Sequence, residues 1–193
     1  MILVIDTSSA RSALALLRPD RTVVAEQVHA SGPAFDIPTR FRALAGGQDL
    51  TRVAVAVGPG SFTGLRVGVS FGLGVAMGLQ IPIVPLSSLE LQQARSDEPV
   101  IAVTEAGRGR VYTLAPGSQP QVAEPAEVPR DIPLVGWLRS ATEEALTAVG
   151  LSFKPESELR SLGAAAALRL ESAVEVAYGS LRLEYMRAFS TRA

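Results

Sequence analysis

The stretch Val53–Gly78 reads VAVAVGPGSFTGLRVGVSFGLGVAMG, and the interpretation of the whole chain starts from it. An apolar run is followed by Gly58-Pro59-Gly60 and then by a long segment with a single charge, Arg66. This pattern predicts a buried strand, a tight turn and a helix over Ser61–Leu79, with Ser61 as its N-cap. A helix that is apolar or small on every side needs neighbours on more than one side.

Glycine is unusually frequent in the predicted helix, at Gly64, Gly68, Gly72, Gly74 and Gly78. Each glycine inside a helix costs roughly 1 kcal/mol relative to alanine, so packing must compensate for them. The first three recur every four residues and therefore share one face. Because a face without side chains lets another backbone approach closely, we expect this helix to pack between its own sheet and a second subunit.

The composition excludes several classes of function. The chain has 193 residues with 18 basic and 19 acidic side chains, so its net charge gives no general attraction for nucleic acid. It has no cysteine and one histidine, His29, which excludes disulfides, thiolate chemistry and histidine-pair metal sites. The start, MILVIDTSS, lacks a basic leader, so we expect no secretion signal and a cytoplasmic location.

A membrane span is the alternative interpretation of the uncharged run Val67–Leu89. The helical pattern stops near Gln80, and Pro82 and Pro85 follow it. The uncharged helix is therefore short for a span, and we expect a buried helix and no membrane association.

Residues 1–98 follow the predicted order β-β-β-α-β-α-β-α. The elements are strands Ile2–Ile5, Ser12–Leu17 and Thr22–Val28, helix Asp36–Ala45, strand Thr51–Val57, the glycine-rich helix, strand Ile81–Val84 and a helix from Ser87 towards Arg95. Antiparallel strands followed by strand–helix units predict an α/β fold with a mixed sheet flanked by helices.

Residues 99–193 predict a second, smaller unit. Ala102–Glu105 and Arg110–Leu114 repeat the pattern of the first two strands at an offset of 99 residues. The rest is expected to be a loop, two helices and an extended end, at Ala115–Pro133, Ser140–Gly150, Glu156–Glu171 and Leu183–Ala188. The predicted division is therefore 1–98 and 99–193, with the second subdomain reduced.

Asp6, Thr7 and Ser8 stand where the first strand ends, and Glu105 stands at the equivalent place in the second unit. Residues of this kind bind phosphates and a hydrated metal ion in some nucleotide-binding folds, but they also close ordinary hairpins. The glycine-rich turn after Val57 lacks the Lys-Ser/Thr pair of a phosphate-binding loop. Both interpretations of the four residues remain open.

Three features resemble the bacterial TsaB family. They are Asp6-Thr7-Ser8, the run Gly58–Gly68 (GPGSFTGLRVG) and the glycine-rich helix, and the resemblance spans most of residues 1–115. Residues Leu183–Arg187 are similar to the family's Pro-x-Tyr-Leu-Arg segment, with Leu183 in place of proline. Glu105 stands where the family has aspartate, and the chain is shorter than typical members.

This resemblance implies two related actin-like (ribonuclease-H-like) subdomains, the second reduced. It implies a non-catalytic scaffold that helps to form threonylcarbamoyladenosine in tRNA by binding the transferase TsaD, joined by the ATPase TsaE. We expect no cofactor on the chain itself, ATP or ADP with Mg only in the assembly, and at most indirect contact with tRNA. Without its partner the chain is expected to form a homodimer. The expected interface residues are Phe62, Gly64, Leu65, Gly68, Val69, Gly72, Val75 and Ala76.

Two other classes of function stay open from the residues alone. A small-molecule kinase of the actin-like class would use Asp6 and Glu105 around a nucleotide and metal ion. A protein-interaction module for an unrelated partner would need only the apolar helix. A peptidase has almost no support, because the chain has one histidine and no cysteine.

Overall fold

The structure is a computed structural model that describes residues 1–32 and 35–184. Its first sheet has the order β3-β2-β1-β4-β5, with β1 Ile2–Asp6, β2 Arg11–Leu17, β3 Val23–Ala30, β4 Arg52–Gly58 and β5 Ile83–Ser87. The first three strands are antiparallel, whereas β4 is parallel to β1 and β5 is parallel to β4. The mixed sheet predicted from the sequence is confirmed.

Helices cover both faces of this sheet because side chains alternate along its strands. Leu3 and Ile5 of β1 point to the face that carries α1 (Ile37–Ala45) and α2 (Phe62–Leu79). Ile2 and Val4 point to the face that carries α3 (Ser88–Gln93) and α5 (Leu162–Arg169). Side chains cap three of these helices, since Asp36, Ser61 and Ser87 each accept a backbone N–H three residues on, and Ser61 is the cap that the sequence predicted.

The second sheet has the order β8-β7-β6-β9, with β6 Ile101–Gly107, β7 Arg110–Leu114, β8 Gln121–Ala123 and β9 Leu134–Val135. Leu146 of α4 (Ser140–Ala148) packs with Ile101 and Val103 in the core on one of its faces. Two short strands correct the sequence analysis. β8 lies within the stretch expected to be a loop, and β9 was not predicted, because strands of two or three residues carry too little periodic pattern.

The C-terminal part of the chain returns to the first sheet. The predicted helix from Glu156 is wrong at its start: a short 3₁₀ turn occupies Glu156–Glu158, and α5 begins only after its N-cap, Ser161. Beyond α5, the Val176 N–H donates to the Ile83 carbonyl and the Glu184 N–H donates to the Val57 carbonyl, at 3.0 and 2.8 Å. The boundary at residue 98 stays a prediction. Residues 185–188 of the predicted extended end, with Tyr185 to Arg187 of the family-like segment, lie outside the described residues.

Within the described part of the chain, α2 is the one helix that is long and apolar enough to cross a membrane, judged by length and composition alone. Its buried residues pack on the sheet, and they make up 22% of the helix. The helix ends where the sequence predicts, with Gln80 as a left-handed C-cap. The sequence led us to expect neighbours on more than one side of α2, but within this chain only the side that packs on the sheet is buried.

Candidate partner interface

The regularly spaced glycines of α2 face the chain's own sheet. A Cβ atom on Gly64 would overlap the backbone carbonyl oxygen of Thr7, and one on Gly68 would overlap the Thr7 hydroxyl. A Cβ on Gly72 would lie 3.2 Å from Ile5 Cδ1. Gly64 and Gly68 are thus required for the close packing of α2 against the end of β1, and a side chain at Gly72 would be tightly accommodated.

This packing corrects the sequence-based interface. Four of the eight expected interface residues are buried beneath α2 against the sheet: Leu65, Gly68, Gly72 and Ala76. Three others are only partly exposed, namely Gly64, Val69 and Val75, and Phe62 is exposed. The expectation that the first glycine strip contacts a second chain is wrong for its buried members, because the intramolecular sheet already occupies that face.

The side of α2 that faces away from the sheet and the two ends of the helix are exposed and apolar. Phe62, Val67, Met77 and Leu79 have exposed fractions of 53%, 49%, 54% and 52%, although all four are large hydrophobic residues. Most exposed hydrophobic residues of a soluble protein are scattered, whereas these lie along one helix. We call the exposed residues of α2 and its C-cap the outer face; they are Phe62, Thr63, Arg66, Val67, Ser70, Gly74, Met77, Gly78, Leu79 and Gln80.

A second row of small residues runs along the outer face. Ser70, Gly74 and Gly78 are spaced four residues apart, so they share one side of the helix. Apart from neighbouring atoms of α2 itself, no described atom lies within 4 Å of a Cβ built on Gly74 or Gly78. The helix therefore has two smooth sides, and the sequence analysis assigned to a partner the side that packs internally. The same spacing of four residues is the signal in the sequence that indicates the second row.

Neighbouring elements hold α2 in place and leave its outer face accessible. Phe41 of α1 contacts Phe71 edge-on, with ring centroids 5.4 Å apart. The Tyr178 hydroxyl lies 2.8 Å from the Ile81 carbonyl oxygen and 3.1 Å from that of Ala76, at the C-terminal end of α2.

The outer face also carries a positive charge, the guanidinium of Arg66, which lies 3.8 Å above the Phe62 ring. The face thus combines one cation with apolar and small residues.

Asp6, Thr7 and Ser8 anchor the start of α2. The Thr7 hydroxyl donates to the Gly64 carbonyl at 2.7 Å, and the Ser61 N–H donates to the Ser8 carbonyl at 2.7 Å. Asp6 Oδ1 accepts the Ser8 N–H at 2.8 Å, as in an ordinary Asx turn. Burial raises the pKa of Asp6, while hydrogen bonds from Ser8 and the charge of Arg95 act in the opposite direction.

Glu105 is engaged elsewhere, at the start of α4. Its carboxylate accepts the Arg139 N–H at 3.2 Å, the Arg139 Nε–H at 2.7 Å and the Thr142 hydroxyl at 2.8 Å. The four candidate residues of the nucleotide site therefore have two separate structural roles. Asp6, Thr7 and Ser8 lie at the start of α2, and Glu105 lies at the start of α4. Residues 1–32 and 35–184 contain no group of three or more histidine, aspartate or glutamate side chains placed to hold a metal ion.

Known proteins resemble this chain in sequence and in structure. The family model of TsaD, tRNA N6-adenosine threonylcarbamoyltransferase, matches residues 43–125. The tRNA threonylcarbamoyladenosine biosynthesis protein TsaB of Bacillus subtilis is 36% identical over 154 residues, which are 74% of this chain and 66% of that protein. The protein of the same name from Haemophilus influenzae is 34% identical over 124 residues, 58% of this chain and 51% of that protein.

The chain thus spans about two thirds or less of the length of these curated relatives. Among solved structures, YeaZ from Pseudomonas aeruginosa superimposes with a TM-score of 0.73 over 96% of this chain and 99% of that one. At 22% identity this likeness concerns the fold alone, and it supports the expected actin-like fold with two sheets flanked by helices. Taken with the GPGSFTGLRVG run that begins α2, the curated relatives show that this chain belongs to the TsaB family.

Proposed function

We propose that the chain is a non-catalytic subunit in tRNA threonylcarbamoyladenosine biosynthesis, and that it binds a TsaD-type transferase through the outer face of α2. The names of its relatives from Bacillus subtilis and Haemophilus influenzae support the pathway. The observation that carries the binding role is the outer face itself, which combines exposed Val67 and Met77 with the open positions Gly74 and Gly78. Such a surface is costly to leave in water.

The shape of the outer face favours a helix as the contacting element of the partner. Because Ser70, Gly74 and Gly78 lack bulky side chains, a second helix axis can approach α2 more closely than larger side chains would allow. A TsaD-type subunit is a suitable candidate, since the TsaD family model matches a region that includes the whole of α2. The partner would then present a similarly built helix, and the two would pack in a pseudo-symmetric pair.

Binding to the TsaD-type subunit of the same organism tests this proposal directly. Gly74→Leu and Met77→Arg are each expected to raise the dissociation constant, measured by isothermal titration calorimetry, by about 30-fold or more. The reason is that substitutions at central interface positions each cost about 2 kcal/mol or more of binding free energy. Both positions are exposed, so the variants should remain folded by circular dichroism.

Val174→Arg is the matched control, because Val174 is 74% exposed and lies outside α2. It should bind like the parent chain. Normal binding by folded Gly74→Leu and Met77→Arg variants would contradict the assigned surface, and failure of the parent chain to bind would contradict the proposed function.

The same face gives the expected homodimer in the absence of the partner. A self-complementary contact through α2 would bury Val67 and Met77 of both copies. Sedimentation of the parent chain should show a dimer at micromolar concentration and a monomer for Met77→Arg. A parent chain that stays monomeric would contradict this part of the proposal.

The remaining assembly follows the same proposal. A TsaE-type ATPase would join the complex, and ATP or ADP with Mg would bind only in that assembly. Contact of this chain with tRNA would be indirect at most, and its location would be cytoplasmic.

The kinase alternative depends on Asp6 and Glu105, whose carboxylates are engaged in a turn and in a helix cap. Titration of the isolated chain with ATP and magnesium tests it, and tight binding would favour the kinase.

A further inference from the structure

Helix α3 lies between the two sheets and joins them. Leu91 packs in the core of the first sheet, and Leu89 packs with Ala102 and Leu114 of the second sheet. The helix therefore has one side against each sheet. Ser88 and Gln92 of α3, and Arg95 just beyond it, are buried by this arrangement, which is unusual for glutamine and arginine.

A set of buried polar side chains, which we call the polar seam, follows this junction. Its members are Asp6 of β1, Thr104 of β6, Ser88 and Gln92 of α3, and Arg95 just beyond α3. Each of these five residues has an exposed fraction of 2% or less. Buried polar groups at this density require hydrogen-bond partners.

Register and helix spacing place the members of the seam on the sides of the two sheets that face α3. Ser88 and Gln92 are four residues apart and so share one side of the helix, and Arg95 hydrogen-bonds to Gln92. Asp6 lies on the same face of β1 as Val4, which shares a core with Leu91 of α3, and the charge of Arg95 opposes the rise in the Asp6 pKa that burial causes. Thr104 lies on the same face of β6 as Ala102, which contacts α3.

Four atoms of the seam have no hydrogen-bond partner among the described residues: Asp6 Oδ2, Ser88 Oγ, Gln92 Nε2 and Thr104 Oγ1. The amide of Gln92 is oriented by Arg95, whose Nη1 donates to Gln92 Oε1 at 3.2 Å. The free Gln92 atom is therefore a donor, whereas Asp6 Oδ2 is an oxygen of a carboxyl group. Leaving such groups unpaired is costly, so their common burial calls for a ligand.

We infer that the polar seam is a water-binding site that joins the two sheets through α3. The mixed set of groups fits water better than an ion, because the Gln92 donor would repel a cation and the Asp6 carboxylate would repel an anion. The Ser88 and Thr104 hydroxyls can each donate or accept. A buried water needs two to four polar partners, which the seam supplies.

The seam is closed at one end by the Arg95 side chain. Its guanidinium lies 4.7 Å from the Trp137 ring centroid, and its Nε donates to the Arg160 carbonyl at 3.1 Å. Glu156 accepts from both Arg95 and Trp137 Nε1. Water held behind this closure would exchange slowly with solvent and act as part of the junction between the sheets.

Thr104→Val distinguishes a hydrated seam from a dry one, because the two side chains have almost the same shape. In a hydrated seam the variant removes a hydrogen bond to water, and we expect the melting temperature to fall by about 2–4 °C. In a dry seam it removes an unpaired hydroxyl, so an unchanged or raised melting temperature overturns the inference. Thr113→Val, in the neighbouring strand β7, is the control for the effect of the substitution on the strand itself.

A double-mutant cycle and a crystal structure complete the test. If Thr104 and Ser88 bind one water cluster, the losses from Thr104→Val and Ser88→Ala should not add in the double variant, and additive losses overturn the shared cluster. A high-resolution crystal structure should show water within hydrogen-bond distance of at least two of the four atoms. A dry seam in which these atoms pair with each other overturns the inference.

Discussion

Paired alanine substitutions in α2 separate the two glycine rows by their effect on stability. Gly64 belongs to the row against the sheet, and Gly74 to the row on the outer face. Alanine is favoured over glycine in a helix by roughly 1 kcal/mol, and this gain applies to both positions. The added methyl group of Gly74→Ala meets no described atom within 4 Å apart from neighbouring atoms of α2, so the substitution should raise the free energy of unfolding by about 1 kcal/mol.

Gly64→Ala places a methyl group on the Thr7 carbonyl oxygen. That oxygen belongs to the backbone and cannot rotate away, so α2 or the turn after β1 must shift, at a cost of about 1–3 kcal/mol. Because the gain in helix propensity is similar in both variants, their difference reports this contact. We expect Gly64→Ala to be the less stable of the two by about 1–3 kcal/mol.

Urea denaturation followed by circular dichroism measures both values. Protein concentration should be varied, because self-association through the outer face would stabilise the folded state of the parent chain. Equal stabilisation by both substitutions would refute the reasoning, since it would mean that Gly64 does not lie against Thr7.

Three further substitutions test the contacts that hold the fold together. Burial raises the pKa of Asp6, so the stability that its carboxyl group contributes below the ordinary pKa is lost as pH rises through the raised value. The melting temperature of Asp6→Asn, relative to that of the parent chain, should therefore rise between acidic and neutral pH. Parallel curves of melting temperature against pH would contradict this. Glu26→Ala removes the carboxylate that accepts the first two N–H groups of α5 at 3.1 and 2.7 Å. It should lower the free energy of unfolding, measured by denaturant titration, by about 1.5–3 kcal/mol. Glu144→Ala is the control, and it should be nearly neutral because Glu144 is exposed. Tyr178→Phe loses the hydrogen bonds at the end of α2 and should cost about 1 kcal/mol, and an unchanged unfolding midpoint would contradict that role.

The corrected role of Gly68 changes how one obvious variant should be interpreted. Gly68→Leu would place a large side chain into the contact with Thr7 and Ile5, so it should destabilise the chain whether or not a partner is present. Lost binding in this variant would not identify an interface. Only substitutions on the outer face, such as Met77→Arg, separate folding from association.

Much of the first sheet could be predicted from the sequence, because its strands and helices carry strong local signals. Each of these signals determines one element without reference to distant residues. They are the apolar runs of β1 and β4, the capping residues Asp36, Ser61 and Ser87, and the turn at Gly58. The second half was less predictable. β9 pairs for only two residues, and α5 is fixed partly by Glu26, which lies 136 residues away from Leu162.

The partner surface expected on α2 stays a prediction, and the glycine row on which it was based lies against the chain's own sheet. The sequence by itself determined that α2 is a helix too rich in glycine and too poor in charge to be stable without neighbours. Only the tertiary structure decided that Gly64, Gly68 and Gly72 face β1 and that Gly74 and Gly78 face outward. Glycine has no side chain whose polarity could indicate inside or outside, so the direction of each row depends on how the helix is rotated against the sheet.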